Sequence, residues 1–503
     1  MLFGRERICG VVAAPTAEEM TRQLRRALRF TRTIELRLDW LKNGIERLRF
    51  LNGLRRCRWT ATLIATCRRR AAGGRFAGGV SAQLAILQRA AQAGCVWCDV
   101  EMETAWRLSL PQLRATRASA RVLVSAHDFQ GTPQNLVALG RRLERLGGDG
   151  VKIATQCDSL ADSLRLLAVA RGRRRVVAVP MGEAGLPARV LALREGSALA
   201  YAAVEEATAP GQLSLEQMKR LYRADRLNRR TRVYGLIGDP VSHSLSPLVH
   251  NAGFQARKMN AVYLPFHVRS LPDFLRAIGP LGIAGFSVTL PHKERIPRYL
   301  DDCDPLARAI GAVNTVVVRG DGKLYGYNTD YVGVLRALEP RVRLRGSRVL
   351  IYGAGGAARA VAFALAEGGA VVCICARRPQ QARGLARAVG GEVLRRTRLR
   401  REFFDAIVNA TPVGMHPQSD ASPLEARELN CRIVMDLIYR PIKTKLLRLA
   451  ERRGIETLSG VEMFLAQATA QWEIWTGVRA PVAAMRSAAL AALRREDVRR
   501  PRR

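Results

Sequence analysis

An alternation of apolar strand-like segments and amphipathic helical segments, repeated eight times, is the feature that most constrains how this 503-residue chain can fold. The candidate strands are residues 8–13, 33–39, 63–68, 95–101, 122–127, 151–155, 176–181 and 199–205. Helical runs such as 133–146 and 159–171 lie between most of them. Eight strands with interposed helices predict an α/β fold that begins with a (β/α)8 barrel, in which chemistry collects at the carboxyl ends of the strands.

A second pattern begins where the barrel pattern ends. The apolar segment from Val349 to Tyr352 opens into the glycine turn Gly353-Ala354-Gly355-Gly356-Ala357, and an alanine-rich helical run follows. Such a turn between a strand and a helix is typical of Rossmann dinucleotide-binding domains, although the glycine motif alone is weak evidence. Upstream lie polar clusters suited to a small polyol, at residues 242–247, 288–293, 314 and 328–330. Together they favour an enzyme that transfers hydride.

Size and charge limit the other classes of function. A chain of this length exceeds one hydrophobic core, and two or three domains are expected. The net charge of +39 comes from arginines spread along the whole chain, with no aromatic ladder to stack bases, so we expect no specific nucleic-acid partner. No apolar run approaches the ~18 residues of a membrane span, and a strand-like segment follows Met1–Glu6 closely, which predicts a cytoplasmic protein.

The ten cysteines predict neither disulfides nor a metal site. Cys95 and Cys98 have CxxC spacing, but no second CxxC or His pair completes a zinc site. They also fall in a strand-like run, where residues three apart face opposite ways. Buried, reduced thiols of a cytosolic protein are the preferred interpretation.

Lys152 and His127 are the candidate catalytic pair of the barrel. Lys152 lies inside the apolar segment 150–154, where desolvation makes the neutral, nucleophilic amine more accessible. His127 ends the preceding strand, so a barrel would place it beside the lysine. A lysine imine with an adjacent base can remove a proton α to a carbonyl. A snorkelling lysine and a capping histidine are the alternatives for each residue taken alone.

The first 225 or so residues resemble the type I 3-dehydroquinate dehydratases. The matching segments are residues 35–39, 66–68, 125–129, 151–154 and 208–212. The resemblance implies that Lys152 forms an imine with the substrate ketone, that His127 takes the C2 proton, and that Arg189 holds the substrate carboxylate. It implies further pocket residues, which are Glu35, Arg37, Arg68, Thr208 and Gln212.

One residue departs from that family. An acidic residue that orients the catalytic histidine usually precedes the glycine pair Gly73-Gly74, and here the position is Ala72. Without the carboxylate the histidine is less well oriented and its cation is less stabilised. We therefore expect a slow dehydratase.

Residues from about 232 to 477 resemble the shikimate dehydrogenases. The resemblance implies that Lys293 and Asp330 are the catalytic pair and that the hydroxyls of Ser244 and Ser246 bind the substrate carboxylate. Substrate contacts are also implied for Thr289, Asn314, Tyr439 and Gln467, while the usual Asn two residues before Thr289 is Ser287 here. Taken one at a time, the serines could cap a helix and Lys293–Asp330 could be a surface ion pair.

The residues after the second Rossmann strand indicate the cofactor. An NAD enzyme usually carries Asp or Glu there, whereas this chain carries Arg377 and Arg378, which suit a 2′-phosphate and predict NADP. The alternative is that both are ordinary surface arginines. The resemblance assigns a wider set of residues to the cofactor, which are Gly353, Ala354, Gly355, Gly356, Ala357, Asn409, Thr411 and Gly460.

Taken together, the two resemblances imply consecutive reactions: dehydration of 3-dehydroquinate, then reduction of 3-dehydroshikimate to shikimate with NADPH. The expected divisions are a barrel (1–228), a substrate-binding domain (229–335), a Rossmann domain (336–458), returning helices (459–490) and a basic tail (491–503). The alternatives are a quinate/shikimate dehydrogenase with a weakened dehydratase half and a metabolite-sensing regulator. The expected partners are the small-molecule substrates, and a homodimer stays open.

Overall fold

A computed structural model describes residue 3 and residues 6–57, 59–108, 120–241 and 244–498. Ser242 and His243 of the polar cluster, and residues 499–503 of the predicted tail, lie outside the described residues. The chain divides into two compact units, Met1–Arg232 with Pro265–Leu281 and Val233–Leu264 with Gly282–Arg503. No helix in the described ranges is both long and apolar enough to cross a membrane.

The first unit contains the predicted barrel. Its strands are β1 (Ile8–Val12), β2 (Thr33–Arg37), β3 (Thr62–Thr66), β4 (Trp97–Glu101), β5 (Arg121–Asp128), β6 (Gly150–Gln156), β7 (Val176–Met181) and β8 (Ala200–Ala203). They form one parallel sheet in the order β7-β6-β5-β4-β3-β2-β1-β8, a nearly closed barrel. The described helices between them are Ala17–Ala27, Gly44–Arg56, Val80–Gln92, Met102–Ala105, Leu136–Arg145, Leu160–Ala170 and Leu186–Leu191.

Polar residues fix where several of these helices begin. The side chains of Thr16, Asn43, Asn135 and Ser159 each accept a hydrogen bond from the backbone N–H three residues later. Such a cap is typically worth ~1 kcal/mol to the helix. The helix starts, and therefore the loops at the carboxyl ends of the strands, are set by local sequence.

The barrel interior carries apolar side chains at one end and polar side chains at the other. Phe3 stacks on Trp97 with ring centroids 4.3 Å apart. Along β4 the next residue on the same face as Trp97 is Asp99, and along β5 Ser125 follows Leu123 in the same way. The two-residue period of each strand thus delivers polar groups just above an apolar floor, towards the carboxyl ends.

Most of the remaining chain forms two six-stranded sheets. The first has the order β10-β9-β11-β13-β14-β12 and is mixed, because β13 pairs antiparallel with β11 and β14. Its strands are β9 (Arg232–Gly238), β10 (Ala261–His267), β11 (Ile283–Val288), β12 (Asp302–Cys303), β13 (Thr315–Val318) and β14 (Leu324–Tyr327). The helices that connect these strands are Ser246–Ala256, Leu271–Leu281 and Pro305–Ile310, and Thr329–Leu338 follows β14.

The second sheet is parallel throughout and has the order β17-β16-β15-β18-β19-β20. Its strands are β15 (Arg348–Tyr352), β16 (Val371–Cys375), β17 (Glu392–Val393), β18 (Phe404–Asn409), β19 (Cys431–Asp436) and β20 (Glu456–Leu458), and its helices are Gly356–Glu367, Pro379–Val389 and Lys445–Glu451. The chain order reverses between β15 and β18, and this is the Rossmann arrangement predicted from the glycine turn.

The last two helices are Gly460–Thr476 and Val482–Val498. Trp472 and Trp475 of the first pack in one buried cluster with Tyr234 and Phe254. The final helix continues to residue 498, so residues 491–498, expected to be tail, are helical. Its hydrophobic contacts explain the difference, because Leu493 is buried in the same cluster.

The cysteines are all free thiols. Cys95 precedes β4 and only Cys98 lies in it, so the predicted shared strand is wrong, but both are buried. Among the residues that the structure describes, no group of three or more His, Cys, Asp or Glu side chains is arranged to hold a metal ion.

Candidate active sites

Lys152 is surrounded by charge in the barrel interior. Its Nζ atom lies 2.9 Å from Oδ2 of Asp99 and 3.1 Å from Oε1 of Glu35, and only 4% of the residue is exposed. Thr66 donates to the same Glu35 oxygen at 2.8 Å, and Ser125 donates to Oδ1 of Asp99 at 2.6 Å. The lysine is therefore neither snorkelling nor isolated, because buried partners hold it on both sides.

Asp99 is a central residue of this network that the sequence prediction missed. Burial alone would raise the pKa of its carboxyl, but Lys152 and Arg68 outweigh that effect and hold the pKa below its usual value. One terminal nitrogen of Arg68 lies 3.3 and 3.4 Å from the two Asp99 oxygens. The signal available in the sequence was a carboxylate inside the apolar run 95–101, two residues before Glu101.

His127 lies on β5 beside Lys152 on β6, where Ser125 pairs with Lys152 and His127 with Ala154. Both ring nitrogens are shielded from solvent and have no hydrogen-bond partner among the described residues. Burial, then the charges of Arg68 and Lys152, lower the pKa of His127 well below its usual value. The imidazole is consequently neutral near pH 7 and able to accept a proton.

Ala72 lies in a short turn, Arg70–Ala72, that leads into Gly73 and Gly74. A Cβ on Gly74 would lie 2.1 Å from the carbonyl oxygen of Arg68, and Gly73 has φ +76° and faces the ring of Phe129. The turn thus packs tightly against the segment that follows His127. No carboxylate is available at position 72, in agreement with the unsatisfied imidazole.

Arg37 and Arg189 are two further predicted barrel residues, and they have different partners. Arg37 makes a bidentate ion pair with Asp39, at 2.9 and 2.8 Å. Arg189 donates to the carbonyl oxygen of Pro210 at 3.0 Å, while its Nε has no partner among the described residues. Burial lowers the pKa of Arg189 to about 10. A buried guanidinium with a spare donor is suited to an anion.

The segment that contains Thr208 and Gln212 is held by its own side chains. Oε1 of Gln212 accepts hydrogen bonds from the Thr208 backbone N–H at 2.7 Å and from its hydroxyl at 3.0 Å. Because Pro210 lies between them, this segment and Arg189 are brought together.

In the second unit Lys293 and Asp330 form a close pair. Nζ of Lys293 lies 2.6 Å from Oδ2 of Asp330, and the side-chain amide of Asn314 donates to Oδ1 at 2.8 Å. The side-chain oxygen of Asn314 in turn accepts from the Thr329 backbone N–H at 2.7 Å. Since Lys293 and Asp330 are only 27% and 14% exposed in their side chains, the surface ion-pair alternative does not hold.

The substrate-side hydroxyls lie on neighbouring elements. Ser246 is the first residue of a helix whose N-cap is Leu245, so the two serines are not the N-cap pair considered from sequence. The Ser246 backbone N–H nevertheless donates to Oγ of Ser244 at 3.2 Å. Thr289 directly follows β11 and its backbone N–H donates to the carbonyl oxygen of Ile237. Ser244 and Ser246 therefore lie beyond the carboxyl end of β9, and Thr289 lies beyond that of β11. These two strands are parallel neighbours.

Tyr439 and Gln467 both contact Phe464. The Tyr439 ring lies 5.1 Å from that of Phe464, and Gln467 donates to the Phe464 carbonyl oxygen at 2.9 Å. No described hydrogen bond joins Gln467 to the Lys293–Asp330 pair. Gln471, one turn further along, was missed: it accepts from the Ser287 hydroxyl at 2.8 Å and donates to the backbone carbonyl oxygen of Asn314 at 3.2 Å.

The glycine turn offers a cradle for a dinucleotide diphosphate. Gly353 has φ +126°, and a Cβ there would lie 3.0 Å from the carbonyl oxygen of Ala410. Gly355 caps the helix Gly356–Glu367, and Gly355, Gly356 and Ala357 are exposed, whereas Ala354 is half-buried. Exposed N–H groups at the start of a twelve-residue helix bind phosphate oxygens well.

Arg377 and Arg378 follow β16 closely and are exposed. They lie at the carboxyl edge of the same sheet as the glycine turn, since Tyr352 pairs with Cys375. Both guanidiniums are therefore available to a ribose phosphate bound along this edge.

Asn409, Thr411 and Gly460 are tied to the neighbouring strand ends. Asn409 accepts from the Thr411 hydroxyl at 2.7 Å and donates to Oδ1 of Asp436 at 3.0 Å. A Cβ on Gly460 would lie 2.4 Å from the carbonyl oxygen of Leu437, so only glycine fits. Burial raises the pKa of Asp436 to about 6, although the hydrogen bonds from Thr444, Ile438 and Asn409 each lower it.

The folds and sites define a class: a barrel with a lysine–carboxylate–histidine site joined to a Rossmann-type dehydrogenase. Residues 8–229 match the family model of type I 3-dehydroquinase, residues 236–316 that of the shikimate dehydrogenase substrate binding domain, and residues 460–490 that of the shikimate 5'-dehydrogenase C-terminal domain.

Individual proteins match either most of the chain or about half of it. The chloroplastic bifunctional 3-dehydroquinate dehydratase/shikimate dehydrogenase of Arabidopsis thaliana is 36% identical over 501 residues, covering 94% of this chain and 82% of that protein. The shikimate dehydrogenase (NADP(+)) of Methanocaldococcus jannaschii is 42% identical over 278 residues, covering 52% of this chain and 97% of that protein. A solved chorismate mutase/shikimate 5-dehydrogenase fusion protein from Clostridium acetobutylicum matches with a TM-score of 0.50 and 29% identity, covering 53% of this chain and 98% of that one. The chain belongs to the bifunctional 3-dehydroquinate dehydratase/shikimate dehydrogenase family.

Proposed function

We propose that this chain catalyses two consecutive steps of the shikimate pathway. The barrel dehydrates 3-dehydroquinate to 3-dehydroshikimate, and the second unit reduces that product to shikimate with NADPH. The observation that carries the proposal is the pairing of Lys152 with Asp99 and Glu35 beside a neutral His127. This is the equipment for imine chemistry and proton removal α to a ketone.

In the dehydration, Lys152 first transfers its extra proton to one of the two carboxylates that contact it. The amine then adds to the substrate ketone, and the hydroxyl of the adduct leaves as water with the returned proton, which forms a protonated imine. His127 removes the C2 proton into this electron sink and later delivers a proton to the departing hydroxyl. Water then hydrolyses the product imine, which breaks the C–N bond, releases 3-dehydroshikimate and regenerates the Lys152 amine. Arg189 pairs with the substrate carboxylate, and Glu35, Arg37, Arg68, Thr208 and Gln212 line the pocket.

In the reduction, bound NADPH would supply a hydride to the ketone carbon. Lys293 provides the proton to the developing alkoxide, and Asp330 holds the lysine and accepts from a substrate hydroxyl. Ser244 and Ser246 bind the carboxylate, and Thr289, Asn314, Tyr439 and Gln467 contact the ring hydroxyls. The glycine turn 353–357, Asn409, Thr411 and Gly460 would hold the dinucleotide, and Arg377 and Arg378 would hold its 2′-phosphate.

One coupled experiment tests this function. The chain is supplied with 3-dehydroquinate and NADPH, and NADPH consumption and shikimate release are followed together. Lys152→Ala should abolish dehydration and leave the reduction of added 3-dehydroshikimate unchanged. Borohydride added with 3-dehydroquinate should trap an adduct at Lys152 in the wild type. Dehydration that continues without any adduct would contradict the imine mechanism.

Two alternatives are separated by the same reagents. A quinate/shikimate dehydrogenase with a weakened dehydratase half would oxidise quinate in competition with shikimate, whereas the proposed enzyme prefers shikimate. A metabolite-sensing regulator would bind both substrates without turnover. The intact Lys152, His127, Lys293 and Asp330 support an enzyme.

The remaining proposals concern organisation and place of action. We propose a dehydratase barrel at 1–228, a substrate-binding domain at 229–335 and a Rossmann domain at 336–458, followed by the returning helices. Ten free cysteines support a reducing compartment such as the cytoplasm. Light scattering distinguishes a monomer of 55.5 kDa from a homodimer of twice that mass.

A further inference from the structure

The aromatic ring of Tyr201 lies directly against the amine of Lys152. Nζ is 4.2 Å from the ring centroid. Tyr201 lies on β8, pairs in register with Cys9 on β1, and is only 5% exposed. Tyr201 belongs to the apolar cluster of the barrel with Trp97 and Leu123, so the contact lies where this cluster meets the charged groups around Lys152.

The contact involves the face of the ring and not the phenol group. The Tyr201 hydroxyl is buried and has no hydrogen-bond partner among the described residues. An aromatic face carries negative charge density that attracts a cation, and the attraction is strongest where water is excluded. Lys152 is thus held from two sides by Asp99 and Glu35 and from a third by a ring.

We propose that the Tyr201 ring stabilises the cationic states of the Lys152 nitrogen during dehydration and fixes the position of that nitrogen. This inference rests on the proposed imine mechanism. The nitrogen is cationic as the resting ammonium and again, after the C–N bond has formed and water has left, as the protonated imine. The ring contacts the free lysine in this structure, and the same contact to the protonated imine would hold the imine nitrogen in place for the loss of the C2 proton.

The carboxylates and the ring act differently on this nitrogen. Glu35 and Asp99 accept the proton that the ammonium must release before the amine attacks. The ring accepts no proton, and it favours the ammonium over the amine and the protonated imine over the neutral enamine. Its net contribution should therefore come from where it holds the nitrogen, and should appear in the yield of trapped imine and in the maximal rate.

The test varies the charge density of the ring face while keeping the shape of the ring. Tyr201→Phe removes only the unpartnered hydroxyl, and a ring-trifluorinated phenylalanine at the same position weakens the negative face without opening a cavity. Tyr201→Leu removes the ring altogether. For each protein, the maximal rate of dehydration and the yield of borohydride-trapped Lys152 adduct are measured, with reduction of 3-dehydroshikimate as the internal control.

We expect Tyr201→Phe to stay within about twofold of wild type, and the trifluorinated and leucine forms to lose about tenfold in maximal rate, with less trapped adduct. Unchanged rate and adduct in the trifluorinated form would overturn the inference, as would an equal loss in Tyr201→Phe, which would assign the role to the hydroxyl. A wild-type chain that dehydrates without any adduct would overturn the imine mechanism and this inference together.

Discussion

Nζ of Lys152 lies 2.9 Å from Oδ2 of Asp99, although the two residues are 53 positions apart in the chain. Asp99 also contacts Arg68, just beyond β3, and Ser125, so one buried carboxylate joins β4, β5, β6 and the end of β3. Removing Asp99 alone would leave buried cations without their partner. This destabilises a protein more than replacing the whole charged network with apolar side chains would.

Asp99→Asn should therefore slow dehydration by ~10–100-fold and lower the thermal midpoint of the barrel. The amide cannot take the proton that Lys152 must release, and it leaves Lys152 and Arg68 with less compensating charge. The change is followed with saturating 3-dehydroquinate, and reduction of 3-dehydroshikimate by the same preparation is the control. Dehydration within twofold of wild type would mean that Glu35 alone accepts the proton.

Arg377→Ala with Arg378→Ala should raise the KM for NADPH much more than that for NADH. Charge-assisted contacts to a phosphate are each worth ~1.5–3 kcal/mol, which is tenfold or more in affinity. The matched control is Arg383→Ala with Arg387→Ala, which removes the same charge from exposed positions of the helix Pro379–Val389. Equal effects of the two double variants, or on the two cofactors, would assign all four arginines to the general surface charge.

Lys293→Met should slow the reduction of 3-dehydroshikimate at saturating substrate by ~10²–10⁴-fold, the usual range for loss of a general acid. Asp330 would then lose its partner at 2.6 Å but keep the hydrogen bond from Asn314. NADPH binding, measured by fluorescence titration, should change little, and so should dehydration. A large loss of NADPH affinity would show instead that the variant disturbs the Rossmann domain.

Ala72→Glu should accelerate dehydration by ~10-fold at the pH plateau, since one oriented hydrogen bond of about 1.4 kcal/mol is a decade in rate. The new carboxylate would accept from His127, which has no described partner. Burial, Arg68 and Lys152 lower the pKa of His127, and an added anion raises it again, so the acidic limb of the pH–rate profile should move to higher pH. A folded variant that is slower at every pH would show that the site is built around alanine.

Asp436 should make the second unit less stable as pH rises from about 4 to 6. Burial raises its folded pKa to about 6, above an unfolded value of ~3.9, so the folded state binds the proton more tightly and this advantage is lost as pH rises through the folded pKa. The difference is about 3 kcal/mol. Relative to Asp436→Asn, the wild-type thermal midpoint should fall across this window, and parallel pH profiles would contradict it.

The sequence by itself determined the elements and most of the chemistry. Strand and helix periodicity predicted the barrel, and the glycine turn after an apolar strand predicted the Rossmann sheet, because these patterns are local consequences of side-chain period and backbone freedom. Lys152 stood out because a lysine within an apolar strand is unusual at any position, and Lys293 was identified by the resemblance to the shikimate dehydrogenases.

Only the tertiary structure decided what surrounds these residues. Asp99 looked like one carboxylate in an apolar run, and its meeting with Lys152 depends on the register of neighbouring strand pairs. Tyr201 reads as an ordinary core aromatic, and Gln471 as a helix residue, until barrel closure and helix packing bring them to Lys152 and Ser287. Contacts between residues far apart in the chain leave no local pattern, so the reactive groups can be identified from sequence whereas the partners within their reach depend on the fold.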